Sequence, residues 1–507
     1  MAITILGLGP GDPGLLTRQA WDVLSGADEV YLRTRRHPTV EGLPGRPALH
    51  DFDELYETLD DFAGVYEAIA GRIVALGRRP EGVIYAVPGH PLVGESSVQR
   101  ILGRARDEGL PVTLVNGLSF VEPVLSALGI DGLDGLQLAD AIDLAAAHHP
   151  RLDPDRPALI GQLYGRRLAS EVKLTLKNAY PEEWGVTLVR AAGVEGGAVL
   201  TIPLYELDRG HACDHLTTLY VPPLPQTGGL PALQDTIAQL RAPDGCPWDR
   251  EQTHGSLRAN LLEEAYEVLS ALDGEDAAKL CEELGDLLMQ IAMHVQIATE
   301  EGEFRFADVI GGIDAKLKRR HPHVFAGATV EGTAGVLRAW EAIKAEERVA
   351  AQQRAVAAQL AAAVQGSAVA QRAAGQEEAH PSRLGGVPDI LPALARAQAL
   401  GERAARAGFD WPDLPGVLDK VSEELAELSG ADDGEARARE LGDLLFSLVN
   451  AARWLEVDAE SALRGACERF VRRYAWMEGE ARRRGLDLPA LSLKEQDALW
   501  DEAKRQG

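Results

Sequence analysis

One arrangement of acids occurs twice in this chain, and it dictates how half of the chain can fold. Leu262-Glu263-Glu264-Ala265-Tyr266-Glu267 is followed by Glu282-Glu283-Leu284-Gly285-Asp286-Leu287-Leu288. Further on, Ser422-Glu423-Glu424-Leu425-Ala426-Glu427 is followed by Glu440-Leu441-Gly442-Asp443-Leu444-Leu445. Residues three apart share a helix face. Glu264/Glu267, Glu283/Asp286, Glu424/Glu427 and Glu440/Asp443 are therefore acidic pairs, and two such helices packed antiparallel bring four carboxylates together. Four oxygen donors in one place repel each other unless a hard divalent cation sits among them, and Mg²⁺ is the usual choice.

A solvated helix face would explain one isolated copy of this pattern. Three features that travel with the acids argue against it. The second acidic helix surrounds its acids with apolar residues rather than lysine partners. A basic segment follows each copy, Lys316-Leu317-Lys318-Arg319-Arg320 in the first and Arg469-Phe470-Val471-Arg472-Arg473 in the second. A tryptophan–lysine pair closes each, Trp340/Lys344 and Trp500/Lys504. Metal-binding acids, cations for phosphates and a stacking aromatic together suit a nucleoside triphosphate. Direct acid–phosphate contacts would repel by about 4 kcal/mol each at an effective dielectric near 20, so the acids are expected to act through metal ions, with Arg and Lys stabilising charge on the breaking phosphate bond.

The chain around these helices divides by texture. Before residue 222, short β-rich runs alternate with amphipathic stretches and glycine turns. Strands are predicted at Ile3–Leu6, Val30–Leu32, Val83–Val87, Val112–Val115, Ala158–Ile160, Val186–Val189 and Val199–Ile202. Helices are predicted at Leu15–Leu24, Leu55–Leu76, Glu95–Ala105 and Arg166–Leu176. This alternation implies an α/β domain with a largely parallel sheet. Beyond it, helical patterns dominate, at Leu257–Leu272, Ala277–Glu300, Gly416–Leu428 and Arg437–Leu455. The expected plan is a domain over 1–222, a Pro/Gly linker over 223–230, an all-α domain over 231–348, an Ala/Gln-rich linker over 349–382 and a second all-α domain over 383–507.

A net charge of −27 argues against polymeric nucleic acid and anionic membranes as partners. The four cysteines match no zinc spacing or disulfide framework. The first residues lack a signal peptide's basic region, and no apolar run approaches the ~20 residues of a membrane span. A cytoplasmic protein is expected.

The Glu-Glu-x-x-Glu … Glu-Leu-Gly-Asp pattern, with Asp244-Gly245-Cys246-Pro247-Trp248-Asp249 before it and Arg319-Arg320-His321-Pro322-His323-Val324-Phe325 after it, closely resembles MazG-type nucleoside triphosphate pyrophosphohydrolases. The resemblance covers about residues 231–507. It implies an all-α homodimer that hydrolyses a nucleoside triphosphate to the monophosphate and pyrophosphate with Mg²⁺. It makes Glu264, Glu267, Glu283 and Asp286 metal ligands in one copy and Glu424, Glu427, Glu440 and Asp443 in the other. The basic residues Lys316, Arg319, Arg320, Arg469, Arg472 and Arg473 would serve the phosphates with Lys344 and Lys504, and Trp340 and Trp500 the base. Arg469 stands where the family usually has lysine, keeping the charge but not the geometry.

Gly7-Leu8-Gly9-Pro10-Gly11-Asp12-Pro13-Gly14 contains a literal G-x-G-x-x-G from Gly9, but the next strand ends Tyr31-Leu32-Arg33-Thr34 without the acid a dinucleotide site wants. The run resembles instead the first motif of the tetrapyrrole methylase family. Ala86-Val87-Pro88-Gly89-His90-Pro91 and Asn116-Gly117-Leu118-Ser119-Phe120 resemble its second and third. This implies a two-lobed α/β domain holding S-adenosylmethionine near Gly7, Gly9, Pro10, Gly11, Asp12, Pro88, Gly89, His90, Pro91 and Ser119. His90 stands where the family's common pattern has aspartate. The alternative is an S-adenosylmethionine-dependent methyltransferase whose helical half serves dimerisation or regulation.

Overall fold

A computed structural model describes residues 1–59, 61–210, 213–333, 335–336, 338–340, 342–344, 346–347, 349–350, 353, 384, 387–388 and 391–506. The linker expected over 349–382 lies almost wholly outside these residues. The chain forms two compact units, Met1–Leu261 with Asp286–Arg305, and Leu262–Gly285 with Phe306–Gly507.

The first unit contains two five-stranded sheets. One joins β1 (Ile3–Gly7), β2 (Glu29–Leu32), β3 (Ala48–Asp51), β4 (Val83–Val87) and β5 (Val112–Val115) in the order β3-β2-β4-β1-β5, all parallel. Its central strands are apolar on both sides because helices cover both faces. Ile3, Ile5, Tyr85 and Val87 pack with Ile69, Ile73 and Ile101, while Leu6, Val30, Leu32 and Ala86 pack with Ala20 and Leu24. Each fully buried Ile or Leu contributes roughly 1.5–3 kcal/mol.

The second sheet corrects the expectation of a largely parallel arrangement. It joins β6 (Gln137–Asp140), β7 (Ala158–Gly161), β8 (Gly185–Arg190), β9 (Ala198–Pro203) and β10 (Thr217–Val221) in the order β6-β7-β10-β8-β9. Only β6 and β7 run parallel; the other pairings are antiparallel. The reason is connection length. The turn between β8 and β9 is too short for the crossover of a dozen or more residues that parallel neighbours need. The helix expected over Leu55–Leu76 is two helices, Asp53–Thr58 and Phe62–Gly77. Asp61 begins the second by accepting from the Gly64 amide at 2.6 Å.

After β10 the described residues contain helices and no strand. The first acidic segment occupies helices Arg258–Asp273 and Ala277–Glu301, and the basic segment ends helix Phe306–Arg320. The second segment occupies Leu414–Gly430 and Gly434–Trp454, followed by Ala459–Arg483 and Leu493–Gln506. Aspartates start three of these: Asp413, Asp433 and Asp458 accept from the amides of Gly416, Ala436 and Ser461 at 3.0, 2.8 and 2.7 Å. No helix among the described residues is long and apolar enough to cross a membrane.

Candidate functional site

The helical pairing delivers two carboxylate triads. Glu264 and Glu267 stand one turn apart on Arg258–Asp273 and meet Glu283 from Ala277–Glu301. Glu424 and Glu427 on Leu414–Gly430 meet Glu440 from Gly434–Trp454. In each triad one oxygen per residue lies within 4.8 Å of the other two. Each triad has one buried member, Glu283 in the first and Glu424 in the second, both 5% exposed. Asp286 and Asp443, one turn beyond Glu283 and Glu440, are not in the triads. An aspartate carboxylate sits one methylene closer to its own helix, which shortens its reach across the helix pair.

The electrostatics are those of crowded acids. Burial pushes the Glu283 carboxyl above the usual carboxylate range, helped by a hydrogen bond with Glu267 and that residue's charge. Burial and the charges of Glu424 and Glu440 do the same to Glu427. The expectation that the second acidic helix carries no lysine partner is corrected by Lys279 on Ala277–Glu301, whereas Lys420 stands on the first acidic helix of its segment. Lys279 lies 3.8 Å from Glu283, and Lys420 lies 2.9 Å from both Glu423 and Glu424, held above its usual range by those hydrogen bonds. Both are four residues before their acid on the same helix, a spacing that identifies them in the sequence. The second oxygen of Glu424, Oε2, is buried and accepts no hydrogen bond. An oxygen-only donor set with a buried, unsatisfied carboxylate oxygen fits Mg²⁺.

The basic segments lie beside their tryptophans. Arg319 and Arg320 reach opposite oxygens of Glu347 at 2.5 and 2.6 Å, and the Arg320 and Arg319 hydrogen bonds hold its carboxyl down at about 2. Lys344 sits 3.8 Å from the centre of the Trp340 ring, and His321 neighbours the same ring at 6.4 Å. Trp340 Nε1 is buried without a partner. Near the second basic segment Phe470 lies 5.2 Å from Trp500, which packs against Met477, Leu488 and Leu499. Lys504 pairs with Asp501 at 3.0 Å. Lys316, Arg469 and Arg472 are exposed, and Arg473 is half-buried with an unpartnered Nε. Arg319, Arg320 and Lys504 thus pair with Glu347 and Asp501, not with the triads. Sequence reading missed Glu347, whose place on the segment after Trp340 carries no pattern of its own.

In the first unit the predicted cofactor residues gather at the carboxyl ends of β1, β4 and β5, where open α/β sheets bind ligands. Backbone crowding explains two of the glycines. A Cβ on Gly7 would stand 2.5 Å from Gly89 O, and one on Gly117 would stand 2.4 Å from the same atom. Gly9 and Gly89 pair through their backbones at 3.2 and 2.8 Å. A Cβ on Gly89 would stand at ordinary contact distance, 4.0 Å, from Leu118 O and Ser119 Cα, and it is the positive φ of 67° that favours glycine there. Asp12 accepts from the Gly14 amide at 2.7 Å, His90 Nδ1 from the Leu92 amide at 3.1 Å, and Ser119 donates to Glu122 at 2.7 Å. These three side chains hold their own loops. Pro10, Gly11 and Pro91 are buried, Pro88 is half-buried, and Asp12 is exposed.

The sequence profile of the MazG nucleotide pyrophosphohydrolase domain matches residues 252–325, and that of the Tetrapyrrole (Corrin/Porphyrin) Methylases matches residues 2–208. A protein of Bacillus subtilis (strain 168), Uncharacterized protein YabN, is 40% identical over 99% of this chain and 98% of its own length. The Nucleoside triphosphate pyrophosphohydrolase/pyrophosphatase MazG of Thermotoga maritima is 40% identical over 54% of this chain and 94% of its own length. The Nucleoside triphosphate pyrophosphohydrolase of Escherichia coli (strain K12) is 42% identical over 54% of this chain and 95% of its own length.

Proposed function

Because the chain belongs to the MazG family, we propose that its helical half hydrolyses a nucleoside triphosphate to the monophosphate and pyrophosphate. The observation that carries the reading is the pair of carboxylate triads, each with one buried carboxylate. Glu264, Glu267 and Glu283, with Asp286 as fourth acid, would hold Mg²⁺ in one copy, and Glu424, Glu427, Glu440 and Asp443 in a second copy over residues 383–507. Bound there, Mg²⁺ would neutralise phosphate oxygens and supply a water of lowered pKa. Lys316, Arg319 and Arg320, and Arg469, Arg472 and Arg473, would take the phosphate charge, with Lys344 and Lys504 behind them. Trp340 and Trp500 would flank the base. Stacking tolerates every base, so the preferred nucleotide is a matter for a screen. A ³¹P NMR time course with Mg²⁺ tests the reaction: monophosphate and pyrophosphate should appear in equal amounts. Release of inorganic phosphate with a diphosphate would contradict the assignment.

Leu262, Leu284 and Leu288 in the first copy and Leu425, Leu441 and Leu445 in the second are exposed beside the acids. Unpaired leucines in such a row support a homodimer. The charge of −27 supports small anionic substrates met through local cations rather than nucleic acid or membrane partners. A cytoplasmic location agrees with this reading.

The N-terminal half would bind S-adenosylmethionine, supported by the methylase profile and by glycine loops at the carboxyl ends of parallel strands. The commitment of Asp12, His90 and Ser119 to their own loops leaves backbone groups as the main contacts. Calorimetric titration of the full chain with S-adenosylmethionine tests this, and absence of heat at millimolar ligand would leave the half as a scaffold.

A further inference from the structure

The two triads are chemically alike but carry their counter-ions on different helices. In the first copy the buried acid is Glu283, on the second helix of the pair, and its lysine is Lys279 on that same helix. In the second copy the buried acid is Glu424, on the first helix, and its lysine is Lys420. The position matching Lys420 in the first copy is Asn260, and the position matching Lys279 in the second is Ala436. The lysine has moved with the buried carboxylate. This is what a counter-charge does, because a buried carboxylate without a positive partner is strongly disfavoured.

The two lysines do not hold their acids equally. Lys279 stands off at 3.8 Å and is half exposed. Lys420 donates to Glu423 at 2.9 Å and lies 2.9 Å from Glu424. Its ammonium therefore sits against a carboxylate that would also bind the cation, and two positive charges on one carboxylate repel steeply at such distances. Lys420 is also a single charge on a flexible four-carbon stem. Once released it can turn to phosphate oxygens without any backbone movement.

Resting on the reading of the triads as metal sites, we propose that Lys420 is a resident counter-ion of the second triad that the metal displaces and the triphosphate then receives. Metal and nucleotide therefore load the second copy cooperatively, whereas the first copy, with its distant Lys279, takes metal largely independently. Lys420 is a positioning residue in this scheme and touches no reacting atom.

The test uses the full chain with Glu264→Gln, Glu267→Gln and Glu283→Gln silencing the first triad, and Mn²⁺ as the probe, its free concentration read by electron paramagnetic resonance. The nucleotide is a triphosphate with a methylene bridge between the α and β phosphorus atoms, which resists cleavage. The nucleotide should tighten Mn²⁺ binding about tenfold or more. Lys420→Met should tighten Mn²⁺ binding without nucleotide by about tenfold and remove most of the nucleotide's effect. Lys420→Gln is a second neutral variant of similar helix propensity and should behave alike. In the complementary chain, with the second triad silenced, Lys279→Met should shift Mn²⁺ affinity by less than about twofold. Unchanged Mn²⁺ affinity in both Lys420 variants, or a nucleotide effect that survives in them, overturns the proposal. Absence of Mn²⁺ binding in every variant overturns the metal reading beneath it.

Discussion

Glu424 shows how much of the helical half's chemistry rests on single side chains. It is buried, it shares Lys420 with its neighbour Glu423, and one of its oxygens accepts nothing. The acids around it were legible from three-residue spacing alone. What spacing could not give was the count, since reach across a helix pair depends on side-chain length: the glutamates converge while Asp286 and Asp443 do not. Glu347 was invisible for another reason, being defined only by two arginines that the fold brings to it. It makes a pH prediction. Its folded pKa lies near 2, below the ordinary glutamate value of about 4.3. Its ion pairs therefore stabilise fully above that ordinary value, and the contribution is lost as pH falls towards 2. The difference in thermal stability between the native chain and Glu347→Gln should be constant from neutral pH to about 5 and shrink below it. A difference that grows on acidification would contradict the pairing.

At the scale of elements, what could be read was what the local physics over-determines. β1 and β4 are short apolar runs because central parallel strands bury both faces, and β5, though an edge strand, keeps the β-branched run Val-Thr-Leu-Val; all were predicted within a residue. β3, Ala-Leu-His-Asp, and β6, Gln-Leu-Ala-Asp, were missed because neither carries a β-branched or aromatic residue, the signature that made the edge strands β5 and β9 legible. β10, Thr-Thr-Leu-Tyr-Val, lies inside its sheet and has strand-forming residues, so its omission reflects a signal passed over rather than absent. The acidic helices were legible within a few residues from their helical pattern, although the expected starts at Gly416 and Arg437 fall three and four residues past the capping aspartates Asp413 and Asp433. Asp433 caps the helix that carries Glu440, through the Ala436 amide at 2.8 Å. Asp433→Ala should cost about 1 kcal/mol in urea unfolding monitored by circular dichroism in the helical region. Asp433→Asn or Asp433→Ser should recover most of it, and equal loss in all three would show that the cap is not the cause.

At the scale of the molecule, the chain joins an α/β half resembling the tetrapyrrole methylases to a helical half of the MazG family, with exposed leucines beside both triads. If those leucines are covered by a second copy, charging them should dissociate it. Leu425→Glu with Leu445→Glu should shift sedimentation velocity from dimer to monomer, whereas an unchanged dimer would put the interface elsewhere. The S-adenosylmethionine reading stands apart from this, since its loops are built from backbone and their own side chains.

If the two triads carry the hydrolysis, neutralising their glutamates abolishes it. Pyrophosphate release should be measured on the full chain with Mg²⁺ for Glu264→Gln/Glu267→Gln, for Glu424→Gln/Glu427→Gln and for all four substitutions together. Release should fall partly or completely in one or both pairs, with none remaining above background in the fourfold variant. Release at the native rate from that variant would contradict that role of the triads.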